Sequence, residues 1–462
     1  MNPEFQRNLW LELTPRRMVL MTVLLGLAFF AAAITTNQSD QVFGTLPATA
    51  EFLYYMIVVV WGTRNAATAV VGEIRDRTWD MQLLSAIGPG AMSWGKLFGS
   101  TIYNWFGGAI CLAVMTIETV AHGGGVGPAL IGVVYYLAVG VIAQAAAFLA
   151  SLVAVRRRQA HSRLDVFIYQ VVGLAAGIAV YTIWSIADPA GSILTHKKAS
   201  DFIVWWGQSF DNRGFLLVSL AIFTAWTLAA CYREMRLELQ MPGGVLVWLA
   251  FLAFIGLYVA GFDAWLSDDK TLSGLDTGSL RLALAGTAYA MLTYLMVVLE
   301  PKDRVHYRWL GSQIASARVG AFLGGLQAWM MAYAAAILCT AALLVTLMQA
   351  HPERRELPAL IAAGAGFLTR DVSIFVAMRS ARRRSDLAAI AILVALYLLA
   401  PSIAKSLGLE SALPAFYPQP TAPLWLSPVI AWAEGIAVAV LAFSRVSIRH
   451  SPADRSAPSP AS

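Results

Sequence analysis

The side chains best placed to do chemistry gather in one stretch, GEIRDRTWDMQLLSAIGPGAMSWGKLFGS, residues 72–100. Glu73, Arg75, Asp76, Arg77 and Thr78 open it. Trp79, Leu83, Leu84 and Ile87 then recur at helical spacing, with Asp80 and Gln82 elsewhere on the wheel. Gly88, Pro89 and Gly90 end that helix, and Ser93 is a candidate N-cap for a new one carrying Lys96. A short amphipathic helix of this kind can press its apolar stripe into a partner's groove while its charges set the register. It can also rest on a bilayer surface. Either way its chemistry is recognition rather than bond-making.

Other candidate motifs carry less. Gly90-Ala-Met-Ser-Trp-Gly95-Lys96 fits G-x-x-x-x-G-K, but a phosphate loop needs Ser or Thr next and a strand before it. Here Leu97 follows and a helix precedes. Leu272-Ser273-Gly274 only faintly echoes an ATPase signature. The six histidines are scattered, no cluster has metal-ligand spacing, and neither a metal nor a cofactor is expected. Cys111, Cys231 and Cys339 each lie in apolar surroundings and read as packing residues. Arg64, Arg370 and Asp371 fall inside long apolar segments. An ionisable group there faces a bundle interior or snorkels to a surface, and these three are possible intramembrane polar sites.

The elements that must position these residues are membrane spans. Of the 462 residues 58% are hydrophobic and 13% charged, against about 25% charged in ordinary soluble domains. Apolar segments long enough to cross about 30 Å of hydrocarbon recur near 17–36, 50–72, 97–120, 128–155, 165–187, 214–232, 243–263, 280–299, 319–348, 357–379, 386–404 and 428–446. They predict an all-α polytopic protein with about twelve transmembrane helices. Arg16, Arg17, Arg75, Arg77, Arg156–Arg158, Arg233, Arg236, Lys302, Arg308, Arg318 and Arg382–Arg384 fall in one alternate set of loops. Basic loops stay inside, which places both termini in the cytoplasm. The net charge of +6 is read the same way, and no nucleic-acid partner is expected. Residues 1–16 form an interfacial amphipathic helix with Trp10 and Leu13 down, and the tail 451–462 is disordered.

The chain also looks duplicated. VVGEIRDR (Glu73, Asp76, Arg77) returns as VVLEPKDR (Glu300, Asp303, Arg304), and the triplet Arg156–Arg158 returns as Arg382–Arg384, at offsets of 227 and 226 residues. Two anchors sharing nearly one offset predict two six-helix halves in parallel orientation, 17–240 and 241–450.

The order Glu73, Arg77-Thr78, Leu83-Leu84, Gly88-Pro89-Gly90, Gly95-Lys96 resembles the ABC-2-type exporter permeases, as do the N-terminal helix, the six spans, the large loop 187–213 and the ending CYREMRLELQ. The resemblance covers about residues 1–240, and reaches the diverged second half through the repeat. It implies a permease in a bacterial-type inner membrane, hydrolysing no ATP itself and coupled to a separate cytosolic ABC ATPase dimer for export of a substrate. Glu73, Arg75, Asp76, Arg77, Thr78, Trp79, Leu83, Leu84 and Lys96 would make the coupling segment. Glu300, Asp303 and Arg304 would be its second-half equivalent, without the threonine and the leucine pair. The family usually has glycine within the stretch held here by Arg77-Thr78-Trp79. A second resemblance, of Gly72-x-x-x-Asp76-Arg77 to the loop motif of the major facilitator superfamily, implies instead an ion-gradient secondary transporter. Trp79, Asp80 and Met81 stand where that motif needs glycine and basic residues.

Overall fold

A computed structural model of the chain describes residues 2–37, 45–85, 87–156, 163–187, 202–241, 245–264, 275–300, 304–350, 355–380, 386–419 and 423–447. Asp303, Arg157 and Arg158, Lys302, the triplet Arg382–Arg384, Leu272-Ser273-Gly274 and the tail 451–462 lie outside them.

The protein is an all-α, multi-pass membrane protein. Among the described residues ten helices are long and apolar enough to cross a membrane, and Val245–Ala260 and Leu426–Leu441 are shorter apolar helices. The exposed surface explains why lipid is the solvent. Val19, Leu20, Val23, Leu24, Leu27 and Phe30 all face outward along one helix, a stripe that water would not tolerate.

The chain divides into two compact units, Met1–Ile203 with Ser209–Gly243, and Val204–Gln208 with Gly244–Ser462. The first contains α1 (Pro3–Glu12), α2 (Pro15–Asn37), α3 (Thr45–Arg75), α4 (Trp79–Leu83), α5 (Pro89–Ala121), α6 (Val126–Arg156), α7 (Arg163–Ala187) and α8 (Asn212–Glu238). A two-stranded sheet of β1 (Phe202–Trp205) and β2 (Gln208–Asp211) precedes α8 in the chain. α6 lies at the centre and packs on α3, α5, α7 and α8. Its small residues Ala143, Ala145 and Ala147 are buried and let these neighbours approach closely.

The second unit contains α9 (Val245–Ala260), α10 (Thr277–Leu299), α11 (Arg304–Ala315), α12 (Val319–Gly324), α13 (Ala328–Ala350) and α14 (Glu356–Ser380). α15 then runs from Asp386–Val394 through a π turn at Ala395–Leu399 into Ala400–Ser406. A 3₁₀ turn, Glu410–Ala415, and α16 (Leu426–Ser447) follow. α14 packs on α16, α13 and α15, and α10 on α9 and α13.

Two expectations change. The span expected at 319–348 is broken. Val319–Gly324 is a separate short helix, Gly325–Gln327 interrupt it, and the long helix begins at Ala328. The amphipathic helix expected to reach Ile87 is only Trp79–Leu83, capped by Leu84, and α5 starts after Gly88, with proline at a first-turn position where its missing N–H costs nothing. A π turn also lies within α3, at Tyr55–Trp61.

Candidate functional site

The residues singled out in the first unit meet at one end of its bundle, where α1, the end of α3, α4 and the start of α5 converge. α3 ends in a Schellman turn. The Thr78 amide donates to the Glu73 carbonyl (2.9 Å) and the Arg77 amide to the Ile74 carbonyl (3.2 Å). Such a turn needs one residue in the left-handed region, usually glycine; here it is Arg77, with φ of 58°. The chain has no glycine in that stretch and places an arginine in the glycine conformation. The turn reverses the chain, so that α4 starts one residue later.

Lys96, about two turns inside α5, is 1% exposed. Its Nζ donates to Glu4 Oε1 (3.1 Å) and to Glu73 Oε2. Arg7 Nη2 donates to Glu73 Oε1 (2.7 Å) and Glu4 Oε1 (2.9 Å), and Gln82 Nε2 to Glu73 Oε1 (2.7 Å). The Trp79 ring lies 5.2 Å from Nζ. Two carboxylates and two cations make the cluster neutral, which is what allows an ammonium to sit out of water. The cluster joins four elements: Glu4 and Arg7 on α1, Glu73 on α3, Gln82 on α4 and Lys96 on α5.

α1 is seated by backbone as well as charge. Asn2 caps it, accepting from the Glu4 amide, and donates to the Ala91 carbonyl (2.6 Å); Asn8 donates to the Gly95 carbonyl (3.3 Å). A Cβ on Gly95 would stand 2.7 Å from Glu4 Cβ, and one on Gly99 2.7 Å from Asn8 Cβ. The two glycines, four apart on one face of α5, form the groove that receives α1.

The coupling residues therefore sort into two sets. Glu73, Trp79 and Lys96 turn inward. Trp79, expected on a docking face, is buried in an apolar core with Val70, Met92, Phe148, Leu152, Cys231 and Met235. Arg75, Asp76, Arg77 and Thr78 are exposed, and Leu84 is 89% exposed, the most outward of the large apolar side chains here. Leu83 is the last residue of α4. Gly90–Lys96 lies wholly within the α5 helix, so it offers no loop to cradle a phosphate. A second ion cluster borders the same core, where Glu234 on α8 pairs with Arg156 at the end of α6 (2.9 Å) and with Arg233 (2.9 Å).

Glu4, Arg7, Gln82 and Glu234 were not singled out from the sequence. Glu4 and Arg7 are three apart on one face of a short helix, a visible ion-pair spacing. Their partners stand 66 to 92 residues away, and no local pattern reports that.

In the second unit Glu300 is buried at the end of α10, and its Oε2 accepts from the Trp329 amide (3.1 Å) at the start of α13. Arg304 is the first residue of α11. Arg370 and Asp371 are buried in the middle of α14, whereas Arg64 lies exposed on α3. Among the described residues no group of three or more His, Cys, Asp or Glu could hold a metal ion. Compared with protein-family models, curated proteins and solved structures, the chain matches none.

Proposed function

We propose that the chain is the membrane-spanning permease of an ATP-driven exporter, driven by a separate cytosolic ATPase dimer through the segment Glu73–Lys96. The observation that carries this reading is the ionic cluster of Glu4, Arg7, Glu73, Gln82 and Lys96. It fastens the turn after α3 to the ends of two long helices and to α1. A push on the exposed Arg75, Asp76, Arg77, Thr78 and Leu84 is passed to α1, α3 and α5 together rather than absorbed by a loose loop. The inward residues are the lever and the outward ones the handle. In this reading both termini and the turn lie in the cytoplasm of a cell with a bacterial-type inner membrane.

The reading extends to two fused six-helix halves, with α9 and α16 as the seventh and twelfth spans. Element order supports the duplication. In each half two apolar helices precede a short helical stretch (α4; α11 and α12), three more apolar helices follow, and a small non-α element separates these from a sixth. The packing pairs also correspond: α3 on α5 and α10 on α13, α6 on α8 and α14 on α16. In each unit a carboxylate ending the second apolar helix, Glu73 or Glu300, reaches the start of the third.

The test is co-purification from native membranes with identification of chains carrying G-x-x-x-x-G-K-[ST]. Such a chain is expected with the wild type, and its yield falls at least tenfold in the triple variant Arg75→Ala/Arg77→Gly/Leu84→Ser. The purified permease alone hydrolyses no ATP. Undiminished recovery with the triple variant refutes docking at this turn, and ATP hydrolysis by the lone chain refutes the division of labour.

A further inference from the structure

Midway along α3 the helix widens for one turn, and the buried amide side chains of the first unit converge on it. Across Tyr55–Trp61 the bonding is of the π type, so the Gly62 amide donates five residues back, to the Ile57 carbonyl. Three carbonyls of the turn also accept from side chains on three other helices. Asn104 Nδ2 on α5 donates to the Ile57 carbonyl (2.8 Å), Gln144 Nε2 on α6 to that of Val58 (2.9 Å) and Gln170 Nε2 on α7 to that of Val60 (2.9 Å).

The arrangement is specific. Asn104 and Gln144 are fully buried. Asn104 Oδ1 accepts from Asn65 Nδ2 (2.8 Å) and Gln144 Oε1 from Trp105 Nε1 (2.9 Å), which directs the NH₂ of each amide at the turn. A Cβ on Gly62 would collide with Gln144 Nε2, so glycine is what admits the glutamine there. The turn's own residues do not call for it: Ile57, Val58, Val59 and Val60 are the ordinary content of a span. A π turn is rare and holds one residue more than the α turn it replaces. In a dry bundle, donors from neighbouring helices are what can hold it in place.

We propose that this turn is a latched hinge. With the three amides in place, α3 keeps its surplus residue in the π turn. When they let go, the turn closes to regular α-helix and Gly62–Arg75 rotates by about 100° relative to Thr45–Tyr54, the angle that one residue subtends. In the latched state Ala67 and Val71 are buried, while Arg64 faces outward with the half-buried Thr68 one turn along the same side. In the released state Thr68 turns in against the neighbouring helices, and Ala67 and Val71 turn out. The rotating half carries Glu73 and the exposed turn beyond it, so release of the amides in mid-bundle and movement of that turn are one event. The hinge is observable without a nucleotide or a partner, so it stands or falls separately from the exporter reading.

The test uses the full chain in lipid nanodiscs, with Cys111, Cys231 and Cys339 replaced. Spin labels are placed on Thr68→Cys and, as a reference in the other half of α3, on Phe52→Cys, an outward position. Access of each label to oxygen dissolved in the bilayer is measured by power saturation. Gln144→Met removes the donor to Val58 and is expected to lower oxygen access at Thr68 at least threefold, with Phe52 unchanged. Deletion of Met56, an outward residue of the turn, removes the surplus residue and makes α3 regular with both halves facing as they do now. In that background Gln144→Met is expected to leave the Thr68 label unaffected, which a merely structural glutamine would not do. If Gln144→Met does not fold, Gln170→Met, at a half-buried position, is read in its place. Unchanged access at Thr68 in the folded amide variant overturns the hinge. So does an equal fall at Phe52, the sign of general loosening, and so does a fall at Thr68 in the deletion background.

Discussion

Lys96 shows how a single side chain can tie distant segments together. Removing a buried charge leaves its partners uncompensated, which typically costs about 3–5 kcal/mol. Lys96→Met is therefore expected to lower the thermal unfolding temperature in detergent sharply, because Glu4 and Glu73 lose the buried one of the two donors they share. Combining it with Glu73→Gln should recover part of the loss, and a coupling of roughly 0.5–3 kcal/mol in the double-mutant cycle marks direct contact; additive losses would contradict the ion cluster. Arg77 provides the complementary case. At φ of 58° a non-glycine residue is strained by about 1–2 kcal/mol, so Arg77→Gly should fold at least as stably as wild type while removing an exposed charge from the turn. A fall in unfolding temperature with Arg77→Gly would mean the side chain is structural. Sequence alone identified Glu73 and Lys96 as members of one segment. It assigned them outward roles because helical spacing says which residues share a stripe, not which way the stripe faces.

At the scale of elements, α1 depends on two glycines it does not contain. Gly99→Val would drive a side chain into Asn8 and lift the helix from its groove. Limited trypsin digestion should then cleave after Arg7 at least tenfold faster, while α2 to α8 stay protected; unchanged cleavage would show that the ionic cluster alone holds α1. The long helices were legible from hydropathy because lipid selects length and apolarity directly, and α6 in the first unit and α14 in the second each carry the small residues that crowded positions require. The short helix α4 was legible in place but not in extent. Trp79, Leu83, Leu84 and Ile87 fit one helical stripe, yet the helix stops at Leu83 with Leu84 as its C-cap, and α5 begins only at Pro89. Neither π turn could be read, since Tyr55–Trp61 and Ala395–Leu399 have the composition of ordinary span interiors.

For the whole molecule, the parallel order of elements in the two units makes a topological prediction. In a background with Cys111, Cys231 and Cys339 replaced, Asp76→Cys and Arg318→Cys should both react with an impermeant maleimide from one side of the membrane only. That side should also expose the N-terminus. Both positions are exposed in turns that follow the second apolar helix of their unit. Labelling from opposite sides would break the parallel repeat and the count of twelve spans with it. The proposed duplication rests in the sequence on two anchors only, and the later copy of one, Arg382–Arg384, falls outside the described residues. The corresponding packing pairs are a feature of three dimensions that no spacing of residues records.

The near-complete seclusion of Lys96 has a practical corollary. Arg75 and Arg77 offer themselves to proteases and guanidine-directed reagents in the resting protein, whereas the Lys96 amine is screened from acylating agents by Glu4, Glu73 and the Trp79 indole. Acetylation of Lys96 by an activated ester therefore serves as a clock for how often this corner of the protein comes apart, and any condition that quickens it is one that works the joint.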